Sequence, residues 1–442
     1  MTNLMDNMLE KLHIEQLSPM QTATAAALLN SENDVVVLSP TGSGKTLAYL
    51  LPLLHLIDPS RDEVQAVVVV PGRELALQSY NVFKTVTNTL KACACYGGRP
   101  AMDEHKLLRQ VCPQVVFATP GRLNDHLDKG NIAPDSIGII VIDEFDKCLE
   151  MGFQDEMSAL ISKLPALDRR VLLSATDAEA IPRFVNMQRV ERVDYRQSQD
   201  SQQEERLRIA MLRSPDKDKL TTLSLLLRSY GDQSTIVFLN HREAVERTAA
   251  YLKDQGFSVT AFHGGLDQKA REDALYRFSN GSANVCVSTD LASRGLDIPE
   301  VEHIIHYHLP ETQTAYTHRV GRTARWQAEG DACFLLGPTE QLPEYVDSNI
   351  PDVILPEQLP APSQPRMTTI YVGKGKKDKL SRGDILGFIC KKGGIDKSKV
   401  GRIDVKERYS YIAVQRDVAR QVLRQVQGEK IKGLKTVFEE IR

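Results

Sequence analysis

Short apolar runs recur along the chain, separated by stretches of helix length. Val35–Leu38, Val67–Val70, Val115–Phe117, Ile139–Ile142 and Val171–Leu173 make a first series. Ile236–Leu239, Val259–Phe262, Val285–Val287, His303–Ile305 and Cys333–Leu336 make a second. The runs are largely β-branched and do not alternate with polar residues. Strands buried on both faces read this way, so the pattern predicts parallel sheets covered by helices. Two breaks divide the chain. Arg196–Arg206 is polar and carries no large apolar side chain, as a connector does. Leu355–Pro365 holds four prolines and is predicted to be a stiff, extended linker. Beyond it, Thr368–Lys377 reads as a strand entering a basic loop. Arg382–Ile389 reads as a helix, Arg408–Gln415 as a strand and Val418–Val426 as a second helix. The predicted layout is an α/β lobe over 1–203, another over 204–345, a linker over 346–366 and a small α+β domain over 367–442.

Composition agrees with that layout. The 442 residues suit about three domains at ~150 residues each. No run approaches the ~18 apolar residues of a membrane span. The opening MTNLMDNMLEKLHIEQ is acidic and has no apolar core, so no signal peptide is expected. Seven cysteines at 93, 95, 112, 148, 286, 333 and 390 form no C-x-x-C pair. That suits a reduced, cytoplasmic compartment and gives no sign of structural zinc. The net charge of −3 hides an asymmetry. Residues 366–442 hold 20 Lys and Arg against 9 Asp and Glu, a net of +11. The rest of the chain holds 35 basic and 49 acidic residues, a net of −14. A polyanion-binding module and a solvated lysine-rich tail both fit this composition.

Candidate chemistry sits at the strand ends, where open parallel sheets bind ligands. Ser39-Pro-Thr41-Gly42-Ser43-Gly44-Lys45-Thr46 follows the first run and opens into an apolar helical segment. Small residues there let backbone N–H groups wrap phosphates at a helix N-terminus. Lys45 would reach the β- and γ-phosphates of a nucleotide, and Thr46 would ligate Mg²⁺. Asp143-Glu144 ends the run 139–142, the arrangement in which one carboxylate holds Mg²⁺ and the next orients water. Pro71–Ala76, Thr119–Arg122 and Ser174–Thr176 end other runs. The second series has Thr289–Asp297 and His318–Arg325 but no phosphate loop. Arginines 319, 322 and 325 are spaced by three, which on a helix aligns them along one face. A lobe with arginines and no phosphate loop reads as a donor of arginine fingers across a cleft.

Taken in order, these segments resemble the DEAD-box RNA helicases across residues 1–345. The ordered set also includes Ser18–Gln21, Gly97-Gly98, His263-Gly264 and Gln268–Arg271. The resemblance implies two tandem RecA-like lobes and an RNA-stimulated ATPase that uses ATP and Mg²⁺. It implies that Gln21 reads adenine, that Thr41, Gly42, Ser43, Gly44, Lys45 and Thr46 hold the phosphates, and that Asp297 meets the ribose. Asp143 would bind Mg²⁺, with Glu144 activating water. Asp146, Ser174, Thr176 and His318 would link hydrolysis to lobe closure, with Arg322 and Arg325 as fingers. Arg73, Thr119, Gly121 and Arg122 in lobe one would grip the RNA backbone. Gly264, Arg271, Thr289, Arg294 and Gly295 would do so in lobe two. Such contacts give affinity without sequence choice.

Three positions depart from the family pattern. Phe145 stands where alanine is usual, adding bulk beside the catalytic pair. Ile14 replaces the aromatic that stacks on adenine, and Gly72 replaces a threonine. The tail's βαββαβ order suits a small RNA-recognition fold, in which strand aromatics stack unpaired bases. Tyr371 and Tyr411, with Lys374 in the basic loop, are the candidates there. Packing within the sheet is the alternative for either tyrosine. Lys391, Lys392, Lys430 and Lys432 are candidate phosphate contacts. Arg382–Gly387 and Gly428–Gly433 resemble the RNA-binding domain of the DbpA-type subgroup. That subgroup implies an RRM-like tail, large-subunit ribosomal RNA as target and a role in ribosome assembly. The expected function is local unwinding of short RNA duplexes by a monomer. The alternative is an ATP-gated RNA clamp with turnover disabled by Phe145.

Overall fold

The computed structural model describes residues 9–12, 14–40, 42–98, 100–177, 181–196, 206–293, 301–323 and 329–441. The chain forms two compact bodies, with the division in the polar connector before Arg206.

The first body is a parallel sheet of seven strands in the order β3-β4-β2-β5-β6-β1-β7. The strands are β1 (Asp34–Leu38), β2 (Ala66–Val69), β3 (Ala92–Cys95), β4 (Val115–Ala118), β5 (Ile139–Ile142), β6 (Arg169–Ser174) and β7 (Val190–Asp194). Its helices are α1 (Pro19–Asn30), α2 (Lys45–Leu56), α3 (Arg73–Val86), α4 (Ala101–Val111), α5 (Pro120–Asp128), α6 (Phe145–Glu150) and α7 (Gln154–Ser162). Both sheet faces are dry. Val35, Val37, Val68 and Val141 pack with Tyr49 and Leu53 of α2. Val36, Val69, Ile142 and Leu172 pack with Met157 and Leu160 of α7. Continuous apolar runs are the sequence signature of that double burial.

The second body begins with another parallel sheet, in the order β10-β11-β9-β12-β13-β8. Its strands are β8 (Leu207–Arg213), β9 (Thr235–Phe238), β10 (Val259–Phe262), β11 (Val285–Ser288), β12 (His303–His306) and β13 (Gly330–Leu336). Its helices are α8 (Leu220–Tyr230), α9 (Arg242–Asp254), α10 (Gln268–Ser279) and α11 (Gln313–Val320). Strands β3, β7 and β8 escape the apolar-run criterion. Each lies at a sheet edge, where β-branched residues are not required; on the outer flank of β8 the segment 351–353 pairs with Met211. β7 reads Val-Glu-Arg-Val-Asp, and β3 is Ala-Cys-Ala-Cys.

The proline-rich segment is extended and lies on this second sheet domain. Arg228 donates to the carbonyls of Leu359 (2.5 Å) and Pro360 (2.6 Å), and Gln364 donates to that of Gly256 (2.7 Å). The tail domain then follows as β14 (Met367–Val372), α12 (Arg382–Gly393), β15 (Val400–Val405), β16 (Ser410–Gln415), α13 (Arg416–Val426), a short hairpin and β19. The hairpin strands are β17 (Lys430–Ile431) and β18 (Leu434–Lys435), and β19 is Phe438–Ile441. The four long strands make an antiparallel sheet, β15-β16-β14-β19. Val418, Val422 and Val426 recur every four residues and put one stripe of α13 against Ile370, Ile412 and Val414. Ser381 and Asp384 cap α12 reciprocally, and Gly394 ends it at φ +65°.

The tail's sheet is seated on α10 of the preceding domain. Tyr276 stacks on Tyr411 with ring centroids 4.7 Å apart, and its hydroxyl donates to the Arg402 carbonyl at 2.5 Å. The Tyr411 hydroxyl donates to Asp273, and that of Tyr409 donates to Glu272 at 2.6 Å. Asn280 donates to Thr369 Oγ1 at 2.9 Å. Replacing Tyr276 with Ala removes the central ring of this contact. We expect a loss of about 3 kcal/mol in urea denaturation. Faster proteolysis within residues 355–365 should accompany it.

Candidate active site

The phosphate loop leaves β1 at Ser39 and turns into α2 at Lys45. Gly42 and Gly44 have φ of +87° and +84°, a region that glycine enters freely. At Gly44 a Cβ would lie 2.4 Å from Gln21 Nε2. Gln21 is braced there. Its Nε2 donates to the Gly44 carbonyl at 3.2 Å, and its Oε1 accepts the Ser18 N–H at 2.9 Å. The residue expected to read adenine thus also holds the loop in place. The Lys45 ammonium is buried. It donates to the carbonyls of Ser39 (2.9 Å) and Pro40 (3.2 Å) and lies 3.7 Å from Glu144 Oε1.

Across from it, β5 delivers Asp143 and Glu144, both buried. Glu144 adopts φ +54°, a costly conformation for a side-chain-bearing residue. Its N–H donates to Asp143 Oδ1 at 2.9 Å. Burial, then the neighbouring Glu144 carboxylate, pushes the Asp143 carboxyl up to about 7, while Lys45 pulls it down. Two buried carboxylates facing one ammonium leave negative charge uncompensated. Glu144 Oε2 is buried without a hydrogen-bond partner. Such a cluster could hold a divalent cation, and Thr46, on the first turn of α2, could add an oxygen.

Phe145 does not crowd this pair. Its ring is 2% exposed and packs with Ile142, Cys148 and Leu172 on the sheet face that α7 covers. The phosphate-loop helix packs on the opposite face. The bulk expected beside the catalytic pair is absorbed by the core. One residue on, Asp146 Oδ2 accepts from Thr176 Oγ1 at 3.1 Å, and Ser174 Oγ donates to the Thr176 carbonyl at 2.5 Å. The Ser39 N–H donates to the Ser174 carbonyl at 3.1 Å. Hydrogen bonds therefore connect the carboxylate loop, the Ser-Ala-Thr loop and the start of the phosphate loop.

The remaining candidates of the first body occupy neighbouring strand ends. Arg73 lies over Gly98, where a Cβ would meet its Nη1 at 2.4 Å. The Thr119 N–H donates to the Cys95 carbonyl at 3.2 Å, and Gly121 has open space where a side chain would project. Arg122 lies 3.4 Å from Glu104 Oε2, which His126 Nε2 meets at 3.0 Å. Glu104 and His126 stand alone on amphipathic helices, so no motif marks them in the sequence.

In the second body, Arg271 donates to the Gly264 carbonyl at 2.7 Å, which brings two candidates together. The Thr289 N–H donates to the Phe262 carbonyl. Arg319 is fully buried, 2.5 Å from Asp290 and donating to Asn240 Oδ1 (2.8 Å) and the His308 carbonyl (2.7 Å). His318 is buried on the same helix. Arg319 and Arg322 do not share a helical face. Helix α11 stops at Val320 and Gly321 caps it, so buried Arg322 falls in the following turn. Thr41, Arg294, Gly295, Asp297 and Arg325 lie outside the described residues.

Tyr411 is not available to stack a base. Its ring is fully buried against α10, the packing alternative rather than the stacking one. Tyr371 is half-buried under the Lys269 ammonium, 5.2 Å from the ring centroid. Lys374 is paired with Asp378 at 2.9 Å. The sheet face that carries the aromatics is an intramolecular contact, which the sequence alone did not reveal.

Comparison with known proteins agrees with the geometry. Residues 18–184 match the DEAD/DEAH box helicase family, 218–327 the helicase conserved C-terminal domain, and 369–440 the DbpA RNA binding domain. The chain is 36% identical to the ATP-dependent RNA helicase DbpA of Escherichia coli, over 96% of this chain and 94% of that one. It is 30% identical to DbpA of Bacillus subtilis, over 95% and 94%. Among solved structures it is similar to S. cerevisiae Dbp5 bound to RNA and ADP BeF3, with a TM-score of 0.66 and 26% identity. That match covers 76% of this chain and 87% of that one. Mss116p bound to ssRNA and AMP-PNP gives a TM-score of 0.68 and 25% identity over 75% and 72%.

The raised Asp143 carboxyl makes a sign-specific test. Its folded value lies above its unfolded one, so its contribution to stability is present below about pH 4 and is lost as pH rises towards 7. Asp143→Asn should raise the Tm of the ligand-free chain at about pH 8 and change it little at about pH 4. Scanning calorimetry at the two pH values checks this.

Proposed function

The chain belongs to the DEAD-box ATP-dependent RNA helicases, RNA-dependent ATPases, and is of the DbpA type; from that premise we propose that it opens short duplexes in large-subunit ribosomal RNA during ribosome assembly. The observation that carries the catalytic part is the buried cluster of Lys45, Asp143 and Glu144 at the phosphate loop. The net +11 of residues 366–442 and their match to the DbpA RNA binding domain support the ribosomal target.

In this reading Gly42, Ser43, Gly44 and Lys45, with Thr41, hold the triphosphate, Gln21 reads the adenine and Asp297 meets the ribose. Asp143 and Thr46 would hold Mg²⁺, which when bound neutralises charge developing on the phosphate oxygens. Glu144 takes a proton from the attacking water. The water oxygen bonds to the γ-phosphorus, the bond to the β–γ bridging oxygen breaks, and ADP and phosphate leave. The unpartnered, buried Glu144 Oε2 supports that role, because a water there finds a ready acceptor. Lys45 gives up the Ser39 and Pro40 carbonyls in favour of phosphate oxygens. Arg322 and Arg325 serve as fingers from the second lobe, and His318 with the Asp146–Thr176 pair passes the nucleotide state on.

RNA is gripped through its backbone by Arg73, Thr119, Gly121 and Arg122, and by Gly264, Arg271, Thr289, Arg294 and Gly295. In the tail, with Tyr411 engaged on α10, phosphate contact falls to exposed Lys391, Lys392 and Lys430. The protein acts as a monomer in the cytoplasm. Among the described residues, no helix is long and apolar enough to cross a membrane.

Glu144→Gln should keep ATP-dependent RNA binding and lose phosphate release by at least about a hundredfold. Large-subunit ribosomal RNA should stimulate wild-type hydrolysis at lower concentration than an unrelated RNA of equal length. Equal stimulation by both would remove the ribosomal target and leave the ATPase.

A further inference from the structure

Outside the nucleotide centre, three metal-type donors from three elements converge in the first body. Cys95 ends β3, Glu104 sits on the first turn of α4, and His126 lies near the end of α5. One donor atom from each lies within 4.8 Å of the other two, and all three residues are buried. Glu104 Oε1 accepts the Tyr96 N–H at 3.1 Å, which fixes the carboxylate so that Oε2 meets His126 Nε2 at 3.0 Å. The other ring nitrogen, His126 Nδ1, is buried without a hydrogen-bond partner. We propose that Cys95, Glu104 and His126 form a binding site for a borderline-soft divalent cation of the Zn²⁺ class.

Thiolate, imidazole and carboxylate are the donors that Zn²⁺ takes, at about 2.0–2.3 Å each, which sets the donors roughly 3–4 Å apart. The donors lie within 4.8 Å of one another, so reaching that takes a contraction of up to about 1 Å. A thiolate and an imidazole discriminate against Mg²⁺, which prefers oxygen. The site is therefore chemically separate from the Asp143 centre.

Charge decides what the metal displaces. Without a cation, the Glu104 carboxylate is balanced by the Arg122 guanidinium 3.4 Å away. With one bound, the Cys95 thiolate and the Glu104 carboxylate neutralise the two positive charges, and Arg122 becomes a surplus cation beside a buried site. His126 Nε2 donates to the Glu104 carboxylate, so its proton moves to Nδ1 when Nε2 takes the metal; binding also releases one proton from the Cys95 thiol to solvent and ejects Arg122 from Glu104. Arg122 keeps 13% of its side-chain surface exposed, against 3% for Glu104 and none for His126, so it is the wall that can swing out. Resting on the reading that Arg122 grips RNA, cation and RNA grip would share one carboxylate.

The test uses the full, reduced chain without RNA, with Mg²⁺ in excess to fill oxygen sites and Co²⁺ as the spectroscopic probe. A thiolate-to-Co²⁺ charge-transfer band should appear stoichiometrically and bleach on adding Zn²⁺. Cys95→Ser and His126→Gln should each weaken Co²⁺ binding by more than about tenfold. Arg122→Gln should tighten it severalfold, because the competing cation is gone. Thermal unfolding checks that each variant folds, and either ligand variant suffices if the other does not. No band in the wild type, or a band of unchanged affinity in Cys95→Ser, overturns the site. Unchanged affinity in Arg122→Gln overturns the displacement of Arg122. Because RNA is absent, failure of the RNA-grip reading leaves these outcomes untouched.

Discussion

Two carboxylates held nearly free of water beside a single ammonium set the conditions for the first body. Asp143 and Glu144 share a dry corner with Lys45, and Asp143 responds by holding its proton up to about 7. The arrangement costs stability in the ligand-free chain, and the rest of the lobe is built to bear it. Seven parallel strands, dry on both faces, leave the strand ends as the place where polar groups can gather. The phosphate loop, the carboxylates and the Ser-Ala-Thr loop meet there because β6 lies between β1 and β5 and pairs with both. Strain at Glu144 and left-handed turns at Gly42 and Gly44 are the local consequences.

The second body solves a different problem. It carries a basic tail on a sheet domain and uses the tail's aromatic strand face to attach it. Tyr409 and Tyr411 reach carboxylates of α10 with their hydroxyls, while Tyr276 and Tyr411 stack. An amphipathic aromatic suits such a place, since its ring packs dry and its hydroxyl finds an acceptor. Lys391, Lys392 and Lys430 of the tail stay exposed.

Much of this is legible in the chain itself. Central strands announce themselves as β-branched runs because burial on both faces excludes polar side chains. The phosphate loop and Asp143-Glu144 are contiguous motifs whose spacing encodes their geometry. Edge strands β3, β7 and β8 stay hidden because an edge position relaxes that demand. The burial of Tyr411 is equally hidden, since a tyrosine on a strand reads the same whether it faces a base or a neighbouring helix. Phe145 looks obstructive in sequence because it adjoins Glu144, yet helical geometry turns its ring to the other side of the sheet. Glu104 and His126 carry no local signal at all, since only folding brings β3, α4 and α5 together.

With Phe145 in the core, the carboxylate centre is expected to turn over. The most direct measurement is single-turnover phosphate release from ATP, with saturating RNA, in the wild type and in Phe145→Ala. RNA-stimulated release is expected in the wild type, with no faster release per folded molecule in the variant. A wild type that binds RNA with ATP yet releases no phosphate, and a variant that gains turnover, would contradict it.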